Sequence, residues 1–269
     1  DGSTDRGADV VAEYAASGSR TVQLVRTVNQ GISAARNTGI LASSGEFVAL
    51  LDADDLWHPR KLEIQVDHLA GSGAPMCVCS YEMFEDQTGR PIGVVRFRIG
   101  SRALRGWLAL EGNGLLLPST ALIRRTVLDD MRGFDSEFSV SADLEFALRM
   151  EEFGPLDAVP ETLVRYRVHP AQMHRRLYDL GSDSSLLHDR VFADGRCRSF
   201  ERRCRANLDV HLGLSHLLRG RVGVAIPYLL NALRRDPRRL FTLPLRALIR
   251  RLGRRSRALF RIRAPRWVQ

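Results

Sequence analysis

The segment FVALLDADD occupies residues 47–55, and it joins a run of five apolar residues directly to three carboxylates. A short continuous apolar run is typical of a strand that is buried on both faces of a sheet. Helical patterns precede and follow this strand, over residues 31–45 and 60–69. Strands that alternate with helices in this way predict an α/β fold with a mainly parallel sheet flanked by helices.

The carboxylates at the end of this strand are candidates for ligand binding. Asp52 and Asp54 are expected to point the same way, because side chains alternate along a strand. Open α/β sheets bind ligands beyond the carboxyl ends of their strands. A divalent cation would compensate these charges and could hold a diphosphate. An acidic loop that merely caps the next helix is the alternative that this segment alone leaves open.

Two other segments carry side chains suited to the same chemistry. In residues 29–39, Gly31 permits a close approach of the backbone to a ligand, and Arg36 offers a planar fork that suits a diphosphate. Further along, Ser141 is well placed to cap a helix whose first turn contains Asp143. The helix dipole favours a carboxylate there in any case. The same carboxylate could also act as a general base near an acceptor hydroxyl.

Composition and charge narrow the class of protein. The 269 residues are 44% hydrophobic and 26% charged, which argues against a disordered chain, a fibrous repeat or a membrane bundle. Four cysteines without a C-x-x-C pair fit a reducing compartment, so we expect a cytoplasmic protein. The net charge of +9 is uneven, since residues 196–269 hold 20 basic and 3 acidic residues.

This charge distribution and the helical pattern of the last third predict two parts: a domain over residues 1–180 and an Arg-rich, all-helical region over residues 181–269. The basic region could be a helical cap with a solvated arginine face. It could also make peripheral contact with the anionic inner face of a membrane. A polyanion-binding protein is a further alternative, but no nucleic acid is expected, because the arginines lack interleaved aromatic residues.

The order of the motifs resembles that of the family-two glycosyltransferases of the GT-A fold. D-G-S opens the chain, and roughly residues 1–175 then carry N-x-G-x-x-x-A-R-N-x-G, L-D-x-D-D, W-x-P-x-K-L, G-F-D and Y-R-V-H-P. The resemblance implies transfer of a sugar, with inversion, from a nucleotide-diphosphate sugar to a hydroxyl of a saccharide or lipid-linked acceptor. It also implies dependence on Mg²⁺ or Mn²⁺.

The same resemblance assigns roles to individual residues. Asp143 would be the catalytic base. The implied metal ligands are Asp54, Asp52 and His169. The implied nucleotide-sugar-binding residues are Asp1, Gly31, Arg36 and Asp52.

Two features depart from the family pattern. The family usually has an acidic pair where this chain has Ala142 and Asp143. The family also has a strand, a helix and a second strand before the D-G-S segment, and their absence from this sequence predicts a truncated domain with exposed strand edges. A non-catalytic truncated relative that binds a nucleotide or a partner is therefore the alternative function.

Overall fold

A computed structural model describes residues 1–18, 21–97, 101–111, 118–169, 172, 177–195 and 197–242. The strands are β1 (Phe47–Ala49), β2 (Leu56–Trp57), β3 (Met76–Glu85), β4 (Pro91–Val95), β5 (Ala121–Arg124) and β6 (Asp157–Val168). The helices are α1 (Gly7–Ala16), α2 (Ile32–Ala42), α3 (Lys61–Ser72), α4 (Ser101–Leu108), α5 (Arg125–Met131), α6 (Ala142–Met150), α7 (Leu177–Val191), α8 (Arg198–Leu217) and α9 (Val222–Arg235). Residues 243–269 of the predicted helical region lie outside the described part of the chain.

The described strands form one mixed sheet around β3. Its order is β1-β5-β3-β6-β2, with β4 paired to β3. The longest ladder joins β3 and β6 in parallel, from Cys77–Asp157 to Glu85–Val168. The flanking pairings are antiparallel, and β4 must be so because a tight turn returns it alongside β3. The predicted α/β class is confirmed. Among the described strands, the parallel pairing is that of β3 with β6 at the centre of the sheet.

The hydrophobic core is continuous across the predicted boundary at residues 180/181. It is centred on β3, where Cys77, Val78 and Cys79 are fully buried. The same core reaches Leu187 of α7 and Cys204 of α8. The predicted boundary falls inside α7, so the first helices of the C-terminal region pack on the sheet domain. Within the described residues, no helix combines the length and the apolar character needed to cross a bilayer.

The N-terminal part of the chain differs from its prediction. The strand that begins at Phe47 is only three residues long and is the last strand of the described sheet, with β5 as its neighbour. Val48 is buried, but Phe47 and Ala49, which point to the other face, are only partly buried, and Leu51 beyond the strand is half exposed. The strand is therefore not fully buried on both faces. Residues 21–26 alternate between polar and apolar side chains, as in a strand, but they pair with none of the described strands. Val10 and Tyr14 of α1 are also exposed.

A reciprocal hydrogen-bond pair locks α2 to the turn before α6. The amide Nδ2 of Asn37 donates to the carbonyl of Phe134 over 2.8 Å, and the Phe134 N–H donates to Asn37 Oδ1 over 2.7 Å. Gly133 makes this contact possible, because it has a φ of +73° and a Cβ there would lie 2.3 Å from Asn37 Oδ1. The lock places the helix that carries Arg36 against the segment that leads to Asp143.

We expect Gly133→Ala to lower the free energy of unfolding more than Gly89→Ala does. Both positions have a left-handed φ, which costs a side chain about 1–2 kcal/mol. Only at residue 133 must Asn37 also move and lose hydrogen bonds worth about 1 kcal/mol each, because a Cβ at Gly89 meets open space. Urea denaturation of both variants measures the difference, and equal losses would show that the lock contributes nothing.

Candidate active site

The acidic loop after β1 is anchored by the end of β6. Asp55 is buried, and its Oδ1 accepts a hydrogen bond of 3.2 Å from the Arg167 N–H. Arg167 Nε also donates to the carbonyl of Asp54 over 2.8 Å, and its Nη1 donates to Asp86 over 3.0 Å. Burial raises the pKa of Asp55 to about 6, against the lowering effect of its hydrogen bonds. Sequence reasoning used Arg167 only as part of a motif and missed its role in holding this loop.

The two predicted strand-end ligands have different partners. Asp54 Oδ2 lies 2.9 Å from Nε2 of His169, the residue that follows β6 by one position. The backbone N–H of Asp52 donates to the Ser119 hydroxyl over 3.1 Å, while Trp57 Nε1 donates to the Ser119 carbonyl over 2.8 Å. The loop thus turns one carboxylate towards the histidine and holds the other by its backbone against residues 118–120.

Arg36 connects the strand-end carboxylates to α6. Its Nη1 donates to Asp143 Oδ1 over 2.6 Å, and its Nη2 lies 3.4 Å from Asp52 Oδ1. The arginine side chain is only 9% exposed, and its guanidinium lies 5.2 Å from the centre of the Phe134 ring. Three residues that are 16 and 107 positions apart in the sequence therefore meet in one cluster, which we call the Arg36 cluster (Asp52, Arg36 and Asp143).

Asp143 combines a raised pKa with a partly accessible side chain. Burial raises the pKa of its carboxyl to about 6, and the charge of Arg36 acts in the opposite direction. The side chain keeps 26% of its surface exposed, so a substrate hydroxyl could approach it. A base whose pKa lies near the working pH is both ionised and sufficiently basic.

Asp183 of α7 fixes the loop that leads into α6. Its Oδ2 accepts hydrogen bonds from the Ser139 N–H (2.7 Å), the Ser139 hydroxyl (3.2 Å) and the Ser141 N–H (3.1 Å). Asp183 is 7% exposed. Ser141 does occupy the N-cap position of α6, as predicted, but its side chain makes no capping bond. No local sequence pattern indicates this contact, which joins residues more than 40 positions apart.

The D-G-S aspartate organises the loop before α2. Asp1 Oδ1 accepts a hydrogen bond of 2.8 Å from the Gln30 N–H, and its Oδ2 accepts one of 3.1 Å from the Gly31 N–H. Gly31 has a φ of +92°, and a Cβ there would meet open space, so its backbone conformation accounts for the glycine. A cavity of about 280 Å³ lies beside this loop and is lined by Asp1, Thr27 and Gly39 among others.

The predicted metal ligands are divided between two places. Asp54 and His169 form a pair, whereas Asp52 faces Arg36, and no group of three or more potential metal ligands is found among the described residues. Mg²⁺ is commonly held by one or two carboxylates together with substrate phosphates. Asp54, whose side chain is 40% exposed, fits such a site, because it leaves coordination positions open for a diphosphate and water.

The N-terminal half of the chain matches a known family. Residues 1–132 match the model described as glycosyl transferase family 2. An uncharacterized glycosyltransferase of Nostoc sp. (alr2836) is 29% identical over 179 residues, which cover 65% of this chain and 55% of that protein. The Escherichia coli protein WfgD, a UDP-Glc:α-D-GlcNAc-diphosphoundecaprenol β-1,3-glucosyltransferase, is 33% identical over 88 residues, or 33% of this chain and 34% of that protein.

A solved structure supports the same fold. The mannosyltransferase PcManGT from Pyrobaculum calidifontis, in complex with GDP-Man and Mn²⁺, superimposes with a TM-score of 0.54 at 20% identity, over 96% of this chain and 69% of that one. This likeness establishes the GT-A fold. The chain spans about half of the Nostoc protein and a third of WfgD.

We expect Asp183→Ala to loosen the loop before α6. The substitution leaves the buried N–H of Ser141 and the partly buried N–H of Ser139 without their acceptor, at a cost of about 1–3 kcal/mol for a buried group. Hydrogen exchange at residues 139–143 should accelerate, and the free energy of unfolding should fall. Ser185→Ala, at an exposed position of the same helix, is the control and should change exchange there little. Unchanged exchange in the Asp183 variant would refute this role.

Proposed function

We propose that this chain, whose residues 1–132 match the model of glycosyl transferase family 2, transfers a sugar, with inversion, from a nucleotide-diphosphate sugar to an acceptor hydroxyl. The observation that carries this proposal is the Arg36 cluster, in which one guanidinium contacts both Asp143 and Asp52. A candidate base and a candidate donor-binding carboxylate are thereby held within reach of the same cation. Such an arrangement suits a reaction in which the acceptor hydroxyl loses its proton on one side of the donor sugar and the diphosphate departs on the other side.

In the proposed reaction, Asp143 accepts the proton of the acceptor hydroxyl. The acceptor oxygen forms a bond to the anomeric carbon from the face opposite the diphosphate. The bond between that carbon and the diphosphate oxygen breaks, and the electron pair leaves with the nucleoside diphosphate. Because the new bond forms opposite the old one, the configuration at the anomeric carbon is inverted, and no covalent enzyme intermediate is needed.

Arg36 would interact with both the donor diphosphate and the base Asp143. A guanidinium fork binds diphosphate oxygens well, so a bound donor would compete with the two aspartates for it. Since Arg36 lowers the pKa of Asp143, a donor that draws the arginine away would make this carboxylate more basic. We propose that Arg36 in this way couples donor binding to the strength of the base.

Asp54 and His169 would hold the Mg²⁺ or Mn²⁺ of the proposed reaction, and Asp52 would lie near the donor. The bound ion would supply neutralisation of the charge on the departing diphosphate. Two observations support this assignment: the 2.9 Å contact that already brings the two side chains together, and the Mn²⁺ in the complex of the mannosyltransferase PcManGT. Asp1 and Gly31 would contribute the nucleotide side of the site through the loop that they share.

The acceptor is proposed to be a saccharide or a lipid-linked saccharide. The name of WfgD, whose acceptor is a diphosphoundecaprenol-linked sugar, supports the second class. A cytoplasmic location with peripheral contact to an anionic membrane belongs to the same proposal. Residues 1–180 would carry the chemistry, and residues 181–269 would support it, beginning with the contact of Asp183 to the loop before α6.

We expect Asp143→Asn to reduce sugar transfer by about 10²–10⁴-fold, because the amide cannot accept the proton of the acceptor. Donor affinity, measured by calorimetric titration, should change little. Asp130→Asn, an exposed aspartate on α5, is the matched control and should transfer at the wild-type rate. Transfer that survives in the Asp143 variant would exclude this residue as the base. A wild-type chain that binds the donor without turnover would instead support the non-catalytic alternative.

The proposed base also predicts a pH dependence. Burial raises the pKa of Asp143 from 3.8 to about 6, so the carboxyl is protonated below that pH and cannot act as a base. The kcat/KM for transfer should therefore fall as the pH decreases through about 6, since this ratio reports the free enzyme. Initial rates between pH 4.5 and 8 test this expectation. A profile that stays flat down to pH 4.5 would contradict it.

A further inference from the structure

Helix α9 carries an exposed apolar face, which we call the α9 stripe (Val222, Ile226, Leu230 and Leu233). The spacings of four, four and three residues place these side chains along one side of the helix. They are 51%, 49%, 46% and 50% exposed, respectively. An exposed row of large aliphatic side chains is typical of a surface that binds another protein or a membrane.

The packing of α9 on α8 leaves the α9 stripe outside the protein core. The side of α9 that faces α8 buries Ala225 and Ala232 completely. Gly213 of α8 gives the Leu229 side chain room for a close contact, since a Cβ at residue 213 would lie 2.7 Å from Leu229 Cδ2. The orientation of the helix is therefore fixed by small residues on its inner side, and the larger aliphatic residues of the stripe are turned outward.

The surroundings of the α9 stripe are basic. Arg221 precedes the helix, Arg234 lies in its last turn and Arg238 follows it, and all three are exposed. The helix contains no acidic residue, and the adjacent Asp236 pairs with Arg239. The sequence beyond the described residues continues this composition, with nine arginines and no acidic residue in residues 243–269.

We infer that the α9 stripe docks on the surface of a bilayer that contains acidic phospholipids. The aliphatic side chains would enter the boundary between headgroups and acyl chains, and the arginines would lie at the level of the phosphates. At 14 residues the helix is about 21 Å long, which suits an orientation parallel to the surface. A nucleic acid would use the arginines but not the aliphatic row. The inference rests on the membrane contact included in the proposed function and identifies the surface that would make it.

Co-sedimentation of the full chain with vesicles tests this inference. We expect the protein to bind vesicles of 30% phosphatidylglycerol in phosphatidylcholine and not vesicles of pure phosphatidylcholine. Ile226→Glu with Leu230→Glu should weaken that binding about tenfold or more, because it places charge in the apolar contact. Val10→Glu with Leu41→Glu adds the same charge at exposed aliphatic positions on other helices and should bind like the wild type.

The possible results separate the explanations. Equal vesicle binding by the stripe variant and its control, or no preference of the wild type for acidic lipid, would overturn the inference. A wild-type dimer that the stripe variant converts to a monomer, with vesicle binding unchanged, would identify a second copy as the occupant and also overturn it. Ile226→Ser with Leu230→Ser replaces the glutamate pair if that pair lowers the midpoint of unfolding. Donor turnover measured without vesicles reports the proposed function separately.

Discussion

The guanidinium of Arg36, held between Asp143 and Asp52, is the interaction on which the site depends. Two carboxylates brought close together in a partly buried place repel each other, and each loses hydration. A single cation that is itself 9% exposed offsets both effects, and its fixed geometry determines where the two oxygens lie. The same cation is well suited to a diphosphate. The stability of the cluster and the proposed recognition of a donor therefore both depend on the Arg36 side chain, which links the structure of the cluster to the proposed reaction.

The surrounding structure serves to hold this cluster in position. The lock between Asn37 and Phe134 sets α2 against the turn before α6, and Gly133 leaves the space that the lock needs. Asp183 fixes the loop from which α6 begins, so the C-terminal helices reach into the site although they contribute no predicted site residue. Arg167 of β6 secures the acidic loop that follows β1. These contacts are hydrogen bonds between segments that are distant in sequence. Each joins a helix or a strand to a loop or turn of the site.

Local patterns predicted much of the fold, and distant contacts account for what they missed. A buried strand flanked by turns, such as β3, and a helix of clear periodicity, such as α9, are specified largely by their own residues. The prediction that the strand at Phe47 is buried on both faces was wrong, because the segments that cover each face are distant in sequence and no local pattern shows them. In the site, the carboxylates and Arg36 were found through residue type and position. The roles of Asn37, Arg167 and Asp183 were missed, because each binds a backbone group brought near only by the tertiary fold.

A double-mutant cycle between Arg36 and Asp143 measures the central interaction most directly. The transfer rates of Arg36→Gln, Asp143→Asn and the double variant are compared with that of the wild type under one set of conditions. If the two residues act as a unit, the double variant transfers no more slowly than the worse single variant, and the coupling free energy is about 1 kcal/mol or more. Losses that simply add, with a coupling free energy near zero, would contradict the account.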